Sequence, residues 1–429
     1  MRMPSPLLIV AIGALLALEA VGLMAQPGYN RVWFVSVVLA QGAAYLLAVM
    51  IWRRAPARIG VSAVLAVAAL LRIGPLLGPV IWSSDIYRYV WDGRVQNAGI
   101  NPYCCLPVDA RLADLRDATV WPLINRANTA PTIYPPAAQV MFAVTVWLRD
   151  SVFAMKLMML AAEALGIWAM LCLLRRLGRP SSQLLLYAWH PLPAWEIAGS
   201  GHVDALVVAF VPLALLAAQA GRRGWAGVAL GAAVLSKFLP VVLGPAIWRP
   251  RRGDGDWRFA FACVLTVVAL YLPYLSVGTR VLGYLPGYAN EENLTPDSGR
   301  GFWFVELLRT TTGLTLPGGI YLATAGLLML GLGIAALCRP AGDAAMLRWS
   351  VFLSATFVVL ISPHYPWYFI WPLVPAALAG ALPVVWLPLT AALLYMPDAE
   401  NSPVLVGGTI YGGFLIWTSI AALRSRRET

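Results

Sequence analysis

Apolar runs of roughly twenty residues recur from one end of the chain to the other, separated by short segments rich in Arg, Gly and Pro. Wound as an α-helix, such a run matches the ~30 Å hydrocarbon core of a bilayer. The pattern predicts spans near 6–25, 32–52, 59–82, 152–174, 183–199, 203–220, 259–276, 317–338, 346–362, 366–382, 384–397 and 404–423. That is an all-α polytopic membrane protein with about twelve crossings. Residues 1–429 form a single membrane domain, since neither a soluble domain nor an internal repeat interrupts the pattern. The first run, Leu7 to Ala25, follows Arg2; it is long for a signal-peptide core and lacks a small-x-small cleavage site, so it is expected to stay as an anchor.

The basic residues orient these spans. They fall in short clusters: Arg53, Arg54 and Arg58; Arg175, Arg176 and Arg179; Arg222 and Arg223; Arg249, Arg251, Arg252 and Arg258; Arg339 and Arg348; Arg424, Arg426 and Arg427. Positive residues favour the cytoplasmic side, and all clusters fit there if both termini are inside. Residues 83–134 then form a first outer loop and 277–302 a second, while 1–58 supply two helices ahead of the span leading to the first loop. Two segments must turn back: 135–149, which is short and opens with Pro135 and Pro136, and 225–248, broken at "SKFLP". They read as re-entrant or half-length helices, tolerable where protein or water covers the freed backbone.

Composition agrees with this picture and removes others. The chain is 60% hydrophobic and 12% charged, with a formal net charge of +11. Basic residues sorted between apolar runs are a topology signal, so no nucleic-acid partner is expected. Cys172, Cys263 and Cys338 lie in apolar runs and read as small buried hydrophobes. Cys104 and Cys105 are adjacent, without C-x-x-C or Cys/His spacing, so neither a zinc site, a redox pair nor a disulfide framework is expected.

Against this background the polar residues of the predicted outer face are conspicuous. "SSDIYRYVWDGRVQNAGINPY", residues 83–103, predicts an interfacial amphipathic helix over 86–97, with Asp85, Arg88 and Asp92 along one face and Tyr87, Tyr89 and Trp91 at headgroup level. Asp85 reads either as a helix cap or as a general base at the membrane surface. Arg88 and Asp92 read as a mutual pair or as substrate contacts. "TIYPP" starts a helix and presents Tyr134. "WHPLPAWEIAGSGHVDALVVAF" carries Glu196, His202 and Asp204 around a glycine hairpin, as solvated turn residues or as ligands for sugar hydroxyls or phosphate. Lys237 lies mid-segment in apolar sequence, where a lysine needs a partner or water, and it is expected to meet a phosphate or a buried acid. Arg72 and Glu163 are expected in the same buried network. "SPHYPWYFIWPL" places His364 and Tyr365 at an aromatic corner suited to stacking on sugar rings.

Taken in order, "DIYRYVWDGRVQNAGINPY", "TIYPP", "AWHPLPAWEIAGSGHVDA", "SKFLP" and "HYPWYF" resemble the GT-C superfamily of polytopic glycosyltransferases. The similarity is to bacterial polyprenol-phosphate-dependent mannosyltransferases and, more distantly, to the enzyme adding the first mannose to glycosylphosphatidylinositol. It runs over residues 60 to 375. The resemblance implies a polyprenyl phosphate sugar donor, a lipid or glycan acceptor, a bacterial inner-membrane location and an active site facing outward. It also implies a catalytic aspartate in the first outer loop, which Asp85 matches by position. Arg88, Asp92, Arg94, Tyr134, His202, Asp204, Lys237, His364 and Tyr365 are the expected substrate contacts. Relatives often carry D-x-D or E-x-D where this chain has Ser83, Ser84 and Asp85, so no metal is expected and no cofactor is assigned. A transporter or flippase of lipid-linked sugars is the alternative reading, and it predicts a polar path across the bilayer midplane.

Overall fold

The structure is a computed structural model that describes residues 6–24, 30–56, 59–248, 257–296, 299–339, 342–397, 399 and 402–427. Arg2, Ala25, Arg58, Arg249, Arg251 and Arg252, and the side chains of Arg424, Arg426 and Arg427, lie outside that description. All regular structure among the described residues is helical. The first half of the chain comprises α1 (Pro6–Leu23), α2 (Arg31–Arg54), α3 (Val61–Leu77), α4 (Asp85–Asn97), α5 (Pro136–Leu148) and α6 (Val152–Arg176).

Among the described residues, seven helices are long and apolar enough to cross a membrane: Pro6–Leu23, Arg31–Arg54, Val152–Arg176, Trp257–Glu291, Gly318–Cys338, Asp343–Ile361 and Pro403–Leu423. Their outer faces explain their solvent. Phe261, Val264 and Leu265 on one helix, and Leu327, Leu330 and Ile334 on another, are each more than half exposed. Contiguous apolar surface of this kind suits lipid and is unfavourable in water. The chain is a helical membrane protein.

Several expected spans have a different form. The segment over 183–199 is a chain of short pieces: Ser181–Leu184, Leu185–Ala188, Pro191–Pro193 and Ala194–Gly199, the last wound as a π-helix. Pro191 and Pro193 remove amide donors, and the His190 ring accepts from the Leu192 amide to cover the break. Such irregular backbone survives because this whole stretch is buried in protein. The two segments expected to turn back are short. α5 has 13 residues, about 20 Å at 1.5 Å per residue. The Arg223–Ser236 helix stops at Lys237, followed by a 3-10 turn over Leu239–Leu243 and a short helix Gly244–Ile247.

The expectation of an interfacial helix after residue 85 is corrected. Tyr89 and Trp91 are fully buried, as are Arg88 and Asp92. α4 lies against α5 and α6, beneath the rest of the first loop, so Tyr89 and Trp91 pack inside the protein instead of meeting headgroups, while Tyr87 is half-buried. Gly93 permits the close approach: a Cβ there would stand 2.5 Å from the Phe142 carbonyl oxygen on α5.

Candidate active site

A cavity of about 610 Å³ opens between the start of α4, loop residues 125–134, the break at Lys237, the 284–302 segment and the 357–368 corner. Its size falls in the range of small-molecule sites. Among the described residues lining it, Asp85 is the one carboxylate, whereas Arg88, Arg126 and Lys237 are cations. The remaining wall is mostly apolar and aromatic. Each cation has a carboxylate partner at or behind the wall, Arg88 with Asp92, Arg126 with Glu291 and Lys237 with Asp204, so the cavity presents guanidinium and ammonium donors without a large net positive charge.

Asp85 is the first residue of α4, but its side chain does not cap the helix; the N-cap is Ser84. Asn125 donates to Asp85 Oδ1 at 2.6 Å, fixing the carboxylate across the first loop. Oδ2 stands 3.9 Å from His202 Nδ1, and the side chain is 20% exposed. Trp82 (φ 66°) and Arg126 (φ 49°) hold left-handed backbone on either side of this contact. For bulky residues that conformation costs ~1–3 kcal/mol each, and it persists only where neighbours over-determine it.

Lys237 completes the opposite wall. The helix before it ends in extended backbone, and both Asp204 oxygens accept from its ammonium, at 2.8 and 2.9 Å. The ammonium also lies 3.6 Å from the centre of the Tyr368 ring, and the Tyr368 hydroxyl shares a hydrogen bond with that of Tyr288. Charge pairing and the aromatic face together offset the desolvation of a buried cation.

The remaining expected contacts separate into those on the cavity and those behind it. Arg88, Tyr134 and Tyr365 line it. The Tyr134 ring meets Tyr89 edge-on at 4.8 Å, and Tyr365 stacks on Trp367 at 4.7 Å. Burial, with the charge of Glu292, pushes the Tyr365 phenol up to about 12, so it remains a donor at neutral pH. Asp92 is behind the wall: it accepts from Arg88 at 2.7 Å and from Gln139 at 2.9 Å. His202 and Asp204 are fully buried in the second layer.

Two expected contacts lie elsewhere. Arg94 bonds Asp117 and Asp150, pinning the first loop to the turn before α6. Partial burial acts to raise the Asp117 carboxyl, but bonds from Arg94, Thr119 and the Val120 and Trp121 amides carry it well below the usual range. His364 faces Glu292 through Nδ1 at 2.5 Å and the Gly301 carbonyl through Nε2 at 2.9 Å, tying residues 292 and 301 to the 362–373 corner. Arg72 and Glu163 do not join Lys237. They pair with each other at 2.7 Å, and Tyr187 donates to the same carboxylate. Cys104 and Cys105 are joined as a vicinal disulfide, where the sequence led to the expectation of neither a redox pair nor a disulfide framework. Among the described residues no group of three or more His, Cys, Asp or Glu gathers as a metal site.

This architecture has known relatives. The family model described as "Alpha-(1->6)-mannopyranosyltransferase, N-terminal domain" matches residues 9–249, more than half of the chain and the part that carries Asp85, Tyr134, His202, Asp204 and Lys237. The chain belongs to the alpha-(1->6)-mannopyranosyltransferase family. It is similar to alpha-(1->6)-mannopyranosyltransferase A of Mycobacterium tuberculosis, with 27% identity over 71% of this chain and 63% of that protein. It is also similar to alpha-(1->6)-mannopyranosyltransferase B of Corynebacterium glutamicum, with 24% identity over 81% of this chain and 65% of the relative. The matched part therefore spans a little under two thirds of each relative's length. No solved structure matches.

Within this mannopyranosyltransferase-family chain, three cavity-side residues escaped the sequence reading. Asn125 and Arg126 sit in an irregular loop with no periodicity to flag them, and only the fold brings Asn125 to Asp85. Trp367 was visible as part of an aromatic corner, but its stacking on His202, at 4.0 Å between ring centres, was not.

Proposed function

We propose that this protein transfers a hexose, mannose, from a polyprenyl phosphate donor to a glycan or lipid-linked acceptor, at the outer face of a bacterial inner membrane. The observation that carries the reading is Asp85, the one carboxylate among the described lining residues, fixed by Asn125 on the wall of a cavity whose other lining includes Arg88, Arg126, Lys237 and a mostly apolar and aromatic surface. Family membership supplies the sugar. The relatives' names specify α-1,6 transfer, which makes the acceptor nucleophile a primary hydroxyl.

The reaction is a single displacement at the anomeric carbon. Asp85 takes the acceptor hydroxyl's proton as the new C–O bond forms, a contribution of about 10²- to 10⁴-fold. The polyprenyl phosphate leaves with the electron pair of the broken bond, its charge met by Lys237, Arg88 or Arg126 and by tyrosine donors. Inversion converts a β-linked donor into an α-linked product. Aromatic faces at Tyr365 and Trp367 provide stacking surface for sugar rings.

The test uses purified protein in lipid nanodiscs, polyprenyl phosphate mannose and a synthetic α-1,6-dimannoside. Wild type should form a trisaccharide, and Asp85→Asn should lose at least ~100-fold in rate. Equal transfer by both removes Asp85 as the base. Movement of the donor across proteoliposomes with no new glycosidic bond would favour the flippase.

A further inference from the structure

Among the described residues lining the large cavity, the three cations differ in what an incoming anion would have to displace. The Arg88 side chain is 4% exposed; its Nε donates to Asp92 at 2.7 Å and its Nη1 to the Ala130 carbonyl at 3.1 Å. Lys237 donates to both oxygens of Asp204, which is fully buried, and its ammonium lies over the Tyr368 ring. Parting either pair would strand a carboxylate away from water, which is strongly unfavourable. Arg126 is held differently. Its Nε donates to Glu291 Oε2 at 2.8 Å, and both side chains of this pair are 34% exposed. An ion pair that water reaches contributes little net stability, and a freed Glu291 carboxylate is hydrated where it stands.

The pair bridges two segments that border the cavity. Arg126 belongs to the first loop, whereas Glu291 ends the short helix Leu285–Glu291, whose Leu285, Tyr288 and Ala289 are part of the lining. Tyr284 donates to Glu291 Oε1 at 2.6 Å, and the Tyr365 phenol adjoins the Arg126 guanidinium. The Arg126 carbonyl accepts from the Thr129 and Ala130 amides at 3.2 and 3.1 Å, so its left-handed backbone is held as a fixed turn. One residue earlier, Asn125 fixes Asp85. The guanidinium therefore stands on constrained backbone next to the proposed base, and Glu291 is its one carboxylate partner among the described residues. Its planar fork of donors fits two oxygens of a phosphate as well as those of a carboxylate.

We propose that Arg126 binds the phosphate of the lipid-linked donor, and that Glu291 is a placeholder carboxylate which this phosphate displaces on loading and which returns to Arg126 as the product lipid leaves. The proposal rests on transfer from a polyprenyl phosphate sugar. No covalent bond changes in the exchange: one anionic partner of the guanidinium replaces another. The charges fit such a cycle. The donor is a phosphodiester with a single negative charge, like the carboxylate it displaces. Loss of the sugar leaves a phosphate monoester of about −1.5 to −2 at neutral pH, a stronger partner for Arg126. A competing carboxylate weakens donor and product by the same factor, which keeps the more highly charged product from holding the site.

The test measures transfer and lipid binding by full-length protein in phosphatidylcholine nanodiscs, with polyprenyl phosphate mannose, the α-1,6-dimannoside and radiolabelled polyprenyl phosphate. Arg126→Ala should raise the donor KM and the Kd for polyprenyl phosphate by ~10- to 100-fold, the scale of a lost charge-assisted pair, and Arg126→Lys should recover part of that loss. Glu291→Gln should do the opposite, lowering both constants by ~2- to 5-fold, the scale of an exposed ion pair. In the Arg126→Ala background the same change should have no effect. Unchanged binding by Arg126→Ala overturns the proposal. So does weaker binding by Glu291→Gln, because a clasp that only holds the two segments together is lost by either change. Tighter binding by Glu291→Gln that persists without Arg126 overturns the exchange as well. Phosphatidylglycerol added to the nanodiscs should leave the donor KM unchanged; a rise in wild type that Arg126→Ala abolishes would give the site to membrane headgroups and overturn the donor assignment. Should Arg126→Ala fail to fold, the sign of the Glu291→Gln shift settles the matter. Wild type that binds polyprenyl phosphate but transfers no mannose overturns the proposed function, while the Kd series still tests Arg126 as the phosphate ligand.

Discussion

Lys237 illustrates what a single residue can disclose. A lysine amid "LGAAVLSKFLPVVLGP" is anomalous on cost alone, so its significance is legible in the sequence. Its partner is not, because Asp204 lies 33 positions away and nothing local points to it. The pair predicts an asymmetric response. Lys237→Met leaves the fully buried Asp204 carboxylate uncompensated and should destabilise the protein by about 3–5 kcal/mol. Lys237→Met with Asp204→Leu removes both charges and should recover most of that loss while transfer stays impaired. Thermal unfolding in detergent, read beside the transfer assay, checks both; equal destabilisation of the single and double variants would contradict the pairing. Asp85 follows the same logic of partial legibility. Its position in the first predicted loop suggested a helix cap or a base; the N-cap is Ser84, and the Asn125 contact that fixes the Asp85 carboxylate is one that only the fold creates.

At the scale of elements, residues 83–134 and 277–302 were legible as connecting segments between apolar runs, but their mutual contact was not. Gly283 closes that contact. It has φ 59°, and a Cβ there would stand 2.0 Å from the Thr132 carbonyl oxygen, the acceptor for the Tyr284 amide. Gly283→Ala should therefore part the second segment from the first and raise KM for the donor, because Tyr284, Leu285 and Tyr288 line the cavity. The bundle beneath should keep its unfolding temperature. Arg94 acts on the other side of the first loop, and Arg94→Ala should speed limited proteolysis within residues 98–130. The acid response of that anchor follows from Asp117, whose carboxyl is lowered in the folded state. Its contribution is present above the ordinary carboxylate range and is lost only as pH falls through the lower folded value. Proteolysis of wild type with an acid-tolerant protease should thus be as slow at pH 5 as at pH 7; a loop that opens by pH 5 would show that Asp117 does not hold it. The interfacial-helix expectation for α4 failed for a physical reason: amphipathic spacing identifies a polar face and an aromatic face, but not whether lipid or protein covers the latter.

For the molecule as a whole, the basic clusters were the most informative feature of the sequence, and contacts join several of them at one end of the bundle. Trp52, beside Arg53 and Arg54, donates to Ser182, just past Arg175–Arg179. Arg176 donates to Gln219, which precedes Arg222 and reaches Asp343, a few residues before Arg348. Asp85 and the cavity lie beyond the opposite end of α3, which starts soon after Arg54 and runs 17 residues, about 25 Å. Short-range sequence could not supply these contacts, but the charge rule needs no contacts to group the clusters. If positive residues face the cytoplasm, the cavity opens outward, where an acceptor glycan would meet it. Exposed Asp114, in the first loop, and exposed Arg54 distinguish the two orientations. In a background with the native cysteines replaced, Asp114→Cys should react with a membrane-impermeant maleimide on intact cells, and Arg54→Cys only after permeabilisation. The reverse pattern would turn the cavity toward the cytoplasm, and the outward-facing transferase would have to give way to one drawing on substrates from inside.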